Sequence, residues 1–277
     1  MARKKKPHDP FRWFDSSPEV IRLVVMMYVK YPLSLRNVED LLHERGIDIC
    51  HETVRHWWNR FGPMFAAEIR RKRVDYMRAY THWKWHLDEV YVRINGEMRY
   101  LWRAVDQEGE VLESYVTTTR DKEAALTFIK KAMKRHGKAK SITTDGLRSY
   151  RAAMKEIGNQ DLQEIGRWAN NRAENSHQPF RRRERAMLRF RRMKTLQKFA
   201  SVHGSVHNHF NQERHLISRE GTVRPKFYTD PGGFGGAMLS LILLRKMLAT
   251  LDRARRENRP YWFALTVPRP RISRRPN

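Results

Sequence analysis

WKWHLDEVYVRINGEMRYLWRAVDQEGEVLESYVTTT, residues 83–119, decides the fold. Upstream of it apolar residues recur at helical spacing; within it they alternate, the period of a strand. His86, Asp88, Val90, Val92 and Ile94 fall on one face, and Trp85, Leu87, Glu89 and Tyr91 on the other. Asn95-Gly96 is a two-residue hairpin signal. MRYLWRAVD then gives a second strand, QEGE a turn and VLESYVTTT a third. Three consecutive antiparallel strands make a meander.

Toward the C-terminus the pattern becomes helical again. DKEAALTFIKKAMKRHG carries Ala125, Phe128, Ile129, Ala132 and Met133 as an inner stripe. A short strand, KSITTDG, precedes a helix, LRSYRAAMKEIG. GNQDLQEIGRWANN holds a short further strand and leads into a last helix. The fold class is α/β: a mixed sheet of three antiparallel strands plus parallel strands, flanked by helices.

Toward the N-terminus three helical patterns appear. SSPEVIRLVVMMYVKY has Ser17 as a cap, Pro18 at the first helical position and Glu19 at the positive end of the dipole. SLRNVEDLLHERG puts Leu35, Val38, Leu41 and Leu42 on one stripe, with Gly46 to end it. CHETVRHWWNRFG turns Val54, Trp57, Trp58 and Phe61 inward and Arg55, His56, Asn59 and Arg60 outward. Two short helices joined by a glycine turn, the second basic on its outer face, suggest a helix-turn-helix; a small helical bundle with a solvated face is the plainer alternative. The organisation expected is a helical domain over 1–62, a basic connector over 63–82, an α/β domain over 83–219 and an atypical basic tail over 220–277.

The 277 residues carry 56 Lys and Arg against 30 Asp and Glu, a net charge of +26. A surplus of that size calls for a polyanion, most often nucleic acid, although a ribosomal or chromatin protein would share it. The single cysteine, Cys50, excludes an internal disulfide and a thiolate metal cage. The N-terminus has no apolar run behind its basic start, unlike a secretory signal. The most apolar stretch, GGAMLSLILL, is too short to span a bilayer, so no membrane partner is expected.

Three carboxylates stand out. Asp88 interrupts an apolar strand face, which is costly unless the group is paired or metal-bound. Asp145 follows the fourth strand in TTDG, at the carboxyl end of a strand, where open α/β sheets place ligand sites. Glu174 opens NNRAENSHQPFRRRERAMLRFRRMK, whose later arginines include Arg181, Arg182, Arg183, Arg185 and Arg189. Hard oxygen ligands of this kind suit Mg²⁺ or Mn²⁺, and two such ions about 4 Å apart can activate an attacking hydroxyl and stabilise a leaving oxygen. Each acid also has a plainer role. Asp145 can be a turn residue before glycine, and Glu174 a helix N-terminal acid. Asp106 sits in a hairpin turn and Glu89 points away from Asp88. His177, one turn beyond Glu174, can face the same site or bind a phosphate.

WHLDEVYVRINGEMRYLWRAVDQEGEVLESYV, ITTDGLRSYRAAM and NNRAENSHQPFRRRERAMLRFRRMKTLQKFASVHGSVHNHFNQERH closely resemble the DDE transposases of the insertion-sequence-six family, bacterial mobile-element enzymes. The resemblance covers roughly residues 11–219. It implies a helix-turn-helix followed by a ribonuclease-H-like catalytic domain. It also implies that Asp88, Asp145 and Glu174 are the catalytic and metal-binding triad, with two Mg²⁺ or Mn²⁺ ions as cofactor. Arg181 falls where the family carries a basic residue two turns after its glutamate. DNA contacts would come from Arg55, His56, Asn59 and Arg60 and from Arg181, Arg182, Arg183 and Arg185. The partners implied are double-stranded DNA, both element ends and target, and further copies of the chain in a dimer or larger assembly. The location implied is the bacterial cytoplasm, on the nucleoid.

Two features depart from the family. The spacing from Asp145 to Glu174 is somewhat short, and the tail after about residue 220 is unlike the family ending. The tail reads as an out-of-frame scar carrying one helix near 236–257, or as an accessory DNA-binding tail. A non-catalytic DNA-binding regulator, a nuclease that only hydrolyses and an inactive relic remain as alternatives.

Overall fold

The computed structural model describes residues 9–77, 84–166, 170–187 and 190–211. The tail over 220–277, the end of the connector and Arg189 therefore lie outside the described residues. The chain divides into two compact units, residues 24–228 and residues 1–23 with 229–277. Of the second, residues 9–23 are described: a turn, then the start of helix α1 (Pro18–Lys30), where Ser17 Oγ accepts from the Val20 N–H at 3.3 Å.

In the larger unit α2 (Leu35–His43) begins with a capping box. Ser34 accepts from the Asn37 N–H, and the Asn37 side chain accepts from the Ser34 N–H. Helix α3 (His51–Met77) runs 27 residues, and here the structure corrects the sequence reading. The helical domain is expected to end at 62, yet the helix passes through Gly62-Pro63 and takes up most of the expected connector. Proline removes the N–H that would serve the carbonyl four residues back and costs the helix interior roughly 3 kcal/mol. That carbonyl belongs to Asn59, and Lys198 Nζ donates to it at 2.9 Å. Gly62 is required by close approach, since a Cβ there would sit 2.6 Å from the Trp58 ring.

The sheet holds β1 (Lys84–Ile94), β2 (Glu97–Asp106), β3 (Val111–Thr117), β4 (Ser141–Thr144) and β5 (Gln163–Ile165), in the order β3-β2-β1-β4-β5. The β1–β2 and β2–β3 pairs are antiparallel, and the β1–β4 and β4–β5 pairs parallel. Asn95 (φ 51°) and Gly96 (φ 86°) form the tight turn between β1 and β2 with both residues at positive φ. This is the ribonuclease-H-like arrangement expected from the sequence.

Helices α4 (Lys122–His136) and α5 (Arg148–Ile157) cover one face. Their core includes Trp85, Leu87, Trp102, Phe128, Ile129, Ile142, Tyr150 and Met154. Helices α6 (Asn171–Ala186) and α7 (Met193–His209) serve the other, with Ala173 of α6 clustering with Val105 and Val111. The alternation of β1 is thus masked at its start: Trp85, His86 and Leu87 are all buried because both faces are covered.

Two arginines, Arg70 half-buried and Arg73 buried, join α3 to this domain. Arg70 Nη1 donates to Ser201 Oγ and Ser205 Oγ, each at 3.0 Å. Arg73 pairs with Glu110 and lies 3.6 Å from Asp106 Oδ2. Asp106 also caps its own hairpin, accepting from the N–H groups of Glu108 and Glu110, the structural part expected of it.

Candidate active site

The parallel pairing of β1 with β4 ends at His86↔Thr143. The ladder goes no further, and it ends at the carboxyl end of β4, beside the strand where the sheet changes from antiparallel to parallel, the position where open α/β sheets place ligand sites. Asp88 and Glu89 lie on β1 just past the last pair, and Asp145 one residue past β4.

Ligand oxygens of Asp88, Glu89 and Asp145 lie within 4.8 Å of one another. Parity does send Asp88 toward α6 and Glu89 toward α5, as the alternation of β1 implied. That parity was read as removing Glu89 from the site, and this is corrected: where the ladder has ended, a carboxylate on either face reaches the same space. A DE pair that begins two positions past the end of a parallel ladder is the signal that could have found it.

Glu174 stands outside that tight group. It is exposed in the first turn of α6, and its charge acts on Asp88. Two polar tethers bring α6 to the sheet. Asn170, the residue before the helix, donates from Nδ2 to the Leu87 carbonyl at 3.0 Å. Arg103, directly opposite Asp88 in the β1–β2 register, donates from Nη1 to the Ser176 carbonyl at 2.7 Å. These bonds flank Asp88 on two strands and fix the helix that carries Glu174 and His177.

Burial drives the Asp88 carboxyl up to about 7, with the carboxylates of Glu89, Asp145 and Glu174 adding to it, against one N–H that Glu89 donates to Oδ1 at 3.0 Å. His177 Nδ1 lies 3.6 Å from Asp88 Oδ2. Burial, with Arg103 and Arg181 nearby, lowers His177 to about 3, so its imidazole is neutral at physiological pH. Asp145 Oδ1 accepts from the Leu147 N–H at 3.1 Å. The turn depends on Gly146, whose φ of 85° and closeness to Ile165 exclude a side chain.

The donors are all carboxylate oxygens, and repulsion among them already acts on Asp88. Both facts fit a hard divalent cation of the Mg²⁺ or Mn²⁺ type and oppose zinc.

The expected DNA contacts divide. Arg55, His56, Asn59 and Arg60 are exposed on one side of α3, while Val54, Trp57, Trp58 and Phe61 are buried on the other. On α6, Arg182 and Arg185 are exposed, and Arg181 is half-buried with Nη1 donating to Glu184 at 2.7 Å. Arg183 is corrected: it is fully buried, donates from Nη1 to the Leu33 carbonyl at 2.8 Å and lies over the rings of Tyr28 and Phe199. A guanidinium sealed in that way is unavailable to a phosphate.

Residues 82–213 match the family described as a DDE domain. The chain is 35% identical over 147 residues to the transposase for the insertion sequence-like element IS431mec of Staphylococcus aureus, covering 53% of this chain and 63% of that protein. It is 34% identical, with the same coverage, to the transposase for insertion sequence element IS257 in transposon Tn4003 of the same species. An uncharacterized protein of Methanocaldococcus jannaschii is 26% identical over 193 residues, 69% of this chain and 84% of that one. The chain thus spans 63% of the length of the transposases it matches. Among the described residues no helix is long and apolar enough to cross a membrane.

Proposed function

We propose that this chain is an insertion-sequence transposase of the DDE type, of the insertion-sequence-six family it resembles, acting on DNA by phosphoryl transfer. The observation that carries the proposal is the convergence of Asp88 and Asp145, whose carboxylate oxygens lie within 4.8 Å of each other where the β1–β4 ladder ends.

Asp88, Asp145 and Glu174 would hold two divalent cations, Mg²⁺ or Mn²⁺. When bound, these ions favour the attacking oxygen of water or of a DNA 3′-hydroxyl and stabilise the leaving oxygen. The side chains themselves position and neutralise: Asp88 and Asp145 orient the site from two strands, Glu174 closes it from α6, and His177 braces Asp88 without adding charge. No covalent enzyme intermediate is required. The outer face of α3, with Arg55, His56, Asn59 and Arg60, reads the element's terminal repeats, and Arg182 and Arg185 hold phosphates alongside. Two element ends call for at least two copies of the chain.

The test uses duplex oligonucleotides covering the DNA that flanks the gene, one set with pre-cut 3′-hydroxyl ends. With Mg²⁺ the protein joins these ends to a target plasmid. Asp88→Asn binds the ends as tightly and loses joining by more than about 10³-fold, the scale of several kcal/mol of charge stabilisation. Joining that survives Asp88→Asn contradicts the proposal, and hydrolysis without joining in the unaltered protein makes it a nuclease.

A further inference from the structure

The triad leaves three groups beside it without a part: Glu89, Arg120 and Tyr150. Glu89 is buried at 7% exposure, on the α5 side of β1. Arg120, in the loop between β3 and α4, pairs with Glu89, and its Nη2 lies 3.8 Å from Asp145 Oδ2. The same guanidinium lies 5.4 Å from the centroid of the Tyr91 ring, an arrangement that fixes a planar cation in a way a lysine cannot reproduce. Tyr150 is fully buried on α5, in the core on the side of β1 where Glu89 lies.

Asp145 thus has a partner near each oxygen, one hydrogen-bonded and one an ion-pair contact. The Leu147 N–H binds Oδ1, and Arg120 stands at Oδ2. The loop carrying Arg120 has no ladder bond to β4, so its aim at Asp145 depends on Glu89. Glu89 in turn is a buried carboxylate that needs a cation.

We propose that Glu89 and Arg120 act as one positioning unit for Asp145: Glu89 anchors the Arg120 guanidinium, which orients the Asp145 carboxylate toward Asp88. The inference rests on the transposase reading above. It assigns a task to the second acid of the DE pair, distinct from the metal-holding task of the first. Groups that orient metal-holding side chains from behind carry about 10- to 100-fold of metal affinity or activity when removed.

Two variants test it. Arg120→Lys keeps the charge and loses the planar fork, so a change reports geometry. Glu89→Gln is nearly isosteric and releases Arg120. Three readouts are taken: binding of end DNA, calorimetric titration with Mn²⁺ in the absence of DNA, and joining of pre-cut ends. Each variant is expected to bind end DNA as the unaltered protein does, to bind Mn²⁺ several-fold more weakly and to join ends about 10- to 100-fold more slowly. The double variant is expected to lose no more than Glu89→Gln alone, because the two residues work as a unit.

Ordinary Mn²⁺ binding and joining in Arg120→Lys would overturn the proposal. So would losses in the double variant that multiply. A defect confined to DNA affinity, with a shallower salt dependence, would also overturn it by making Arg120 a phosphate contact. Asp88→Asn run alongside separates the two levels: if it still joins ends, the transposase reading fails, whereas if it alone is dead, only the positioning unit fails.

Discussion

Helices α3 and α6 both present dense positive charge in the sequence, and the structure uses them differently. On α3 the helical period sorts the residues cleanly, with aromatic groups inward and Arg55, His56, Asn59 and Arg60 outward. On α6 the arginines are too closely spaced for any period to sort. Arg182 and Arg185 face solvent, Arg181 bonds Glu184, and Arg183 is sealed against Leu33, Tyr28 and Phe199. A run of arginine therefore marks where a polyanion could lie without marking which side chains would touch it. Arginine also serves as mortar, because its flat guanidinium can cap a carbonyl and pack on rings together.

The widest separation between the two helices comes from Arg183→Ala. It opens a cavity, strips two aromatic rings of their cover and orphans the Leu33 carbonyl, costing about 3–5 kcal/mol in urea unfolding. Arg183→Met recovers much of that by refilling the volume. At a temperature where the variant stays folded, the salt dependence of DNA binding is unchanged. A stable Arg183→Ala with weakened DNA binding would erase the contrast. Smaller effects come from the exposed residues. Arg55→Ala or Arg60→Ala is expected to cost about 1–3 kcal/mol on end DNA and to relax sequence discrimination. Arg182→Ala or Arg185→Ala should weaken binding equally on any duplex and reduce the salt slope by about 1 each. Equal sequence discrimination across all four variants would collapse the distinction between a reading face and a holding face.

The sheet was legible where local rules and tertiary packing agree. Alternation and Asn95-Gly96 placed the meander, and TTDG placed the end of β4. Legibility failed where a distant partner overrides a local rule. Pro63 reads as a breaker until Lys198, far along the chain, donates to the carbonyl it orphans. Strand β5 was expected within GNQDLQEIGRWANN but without bounds, since its three residues have no period of their own; its place is set by parallel pairing with β4, and Glu164 binds Lys84 and Ser141.

At the site, the sequence named Asp88, Asp145 and Glu174, the first by its cost on an apolar face and the others by position and resemblance. It missed Glu89 because strand parity describes a closed ladder, and the ladder has ended there. It missed Arg120 and Asn170 because nothing local distinguishes a loop arginine or a helix-start asparagine that reaches across the fold to a carboxylate or a carbonyl.

The central claim is that Glu174, from its own helix and outside the tightest acidic group, completes the site that Asp88 and Asp145 begin. Glu174→Gln in the pre-cut joining assay with Mg²⁺ measures this most directly, with end binding followed in parallel. The account predicts unchanged end binding and joining reduced by at least about 10²-fold, the scale of removing one group that stabilises charge only in the transition state. Joining at the unaltered rate would contradict it and leave Asp88, Glu89 and Asp145 as the working set.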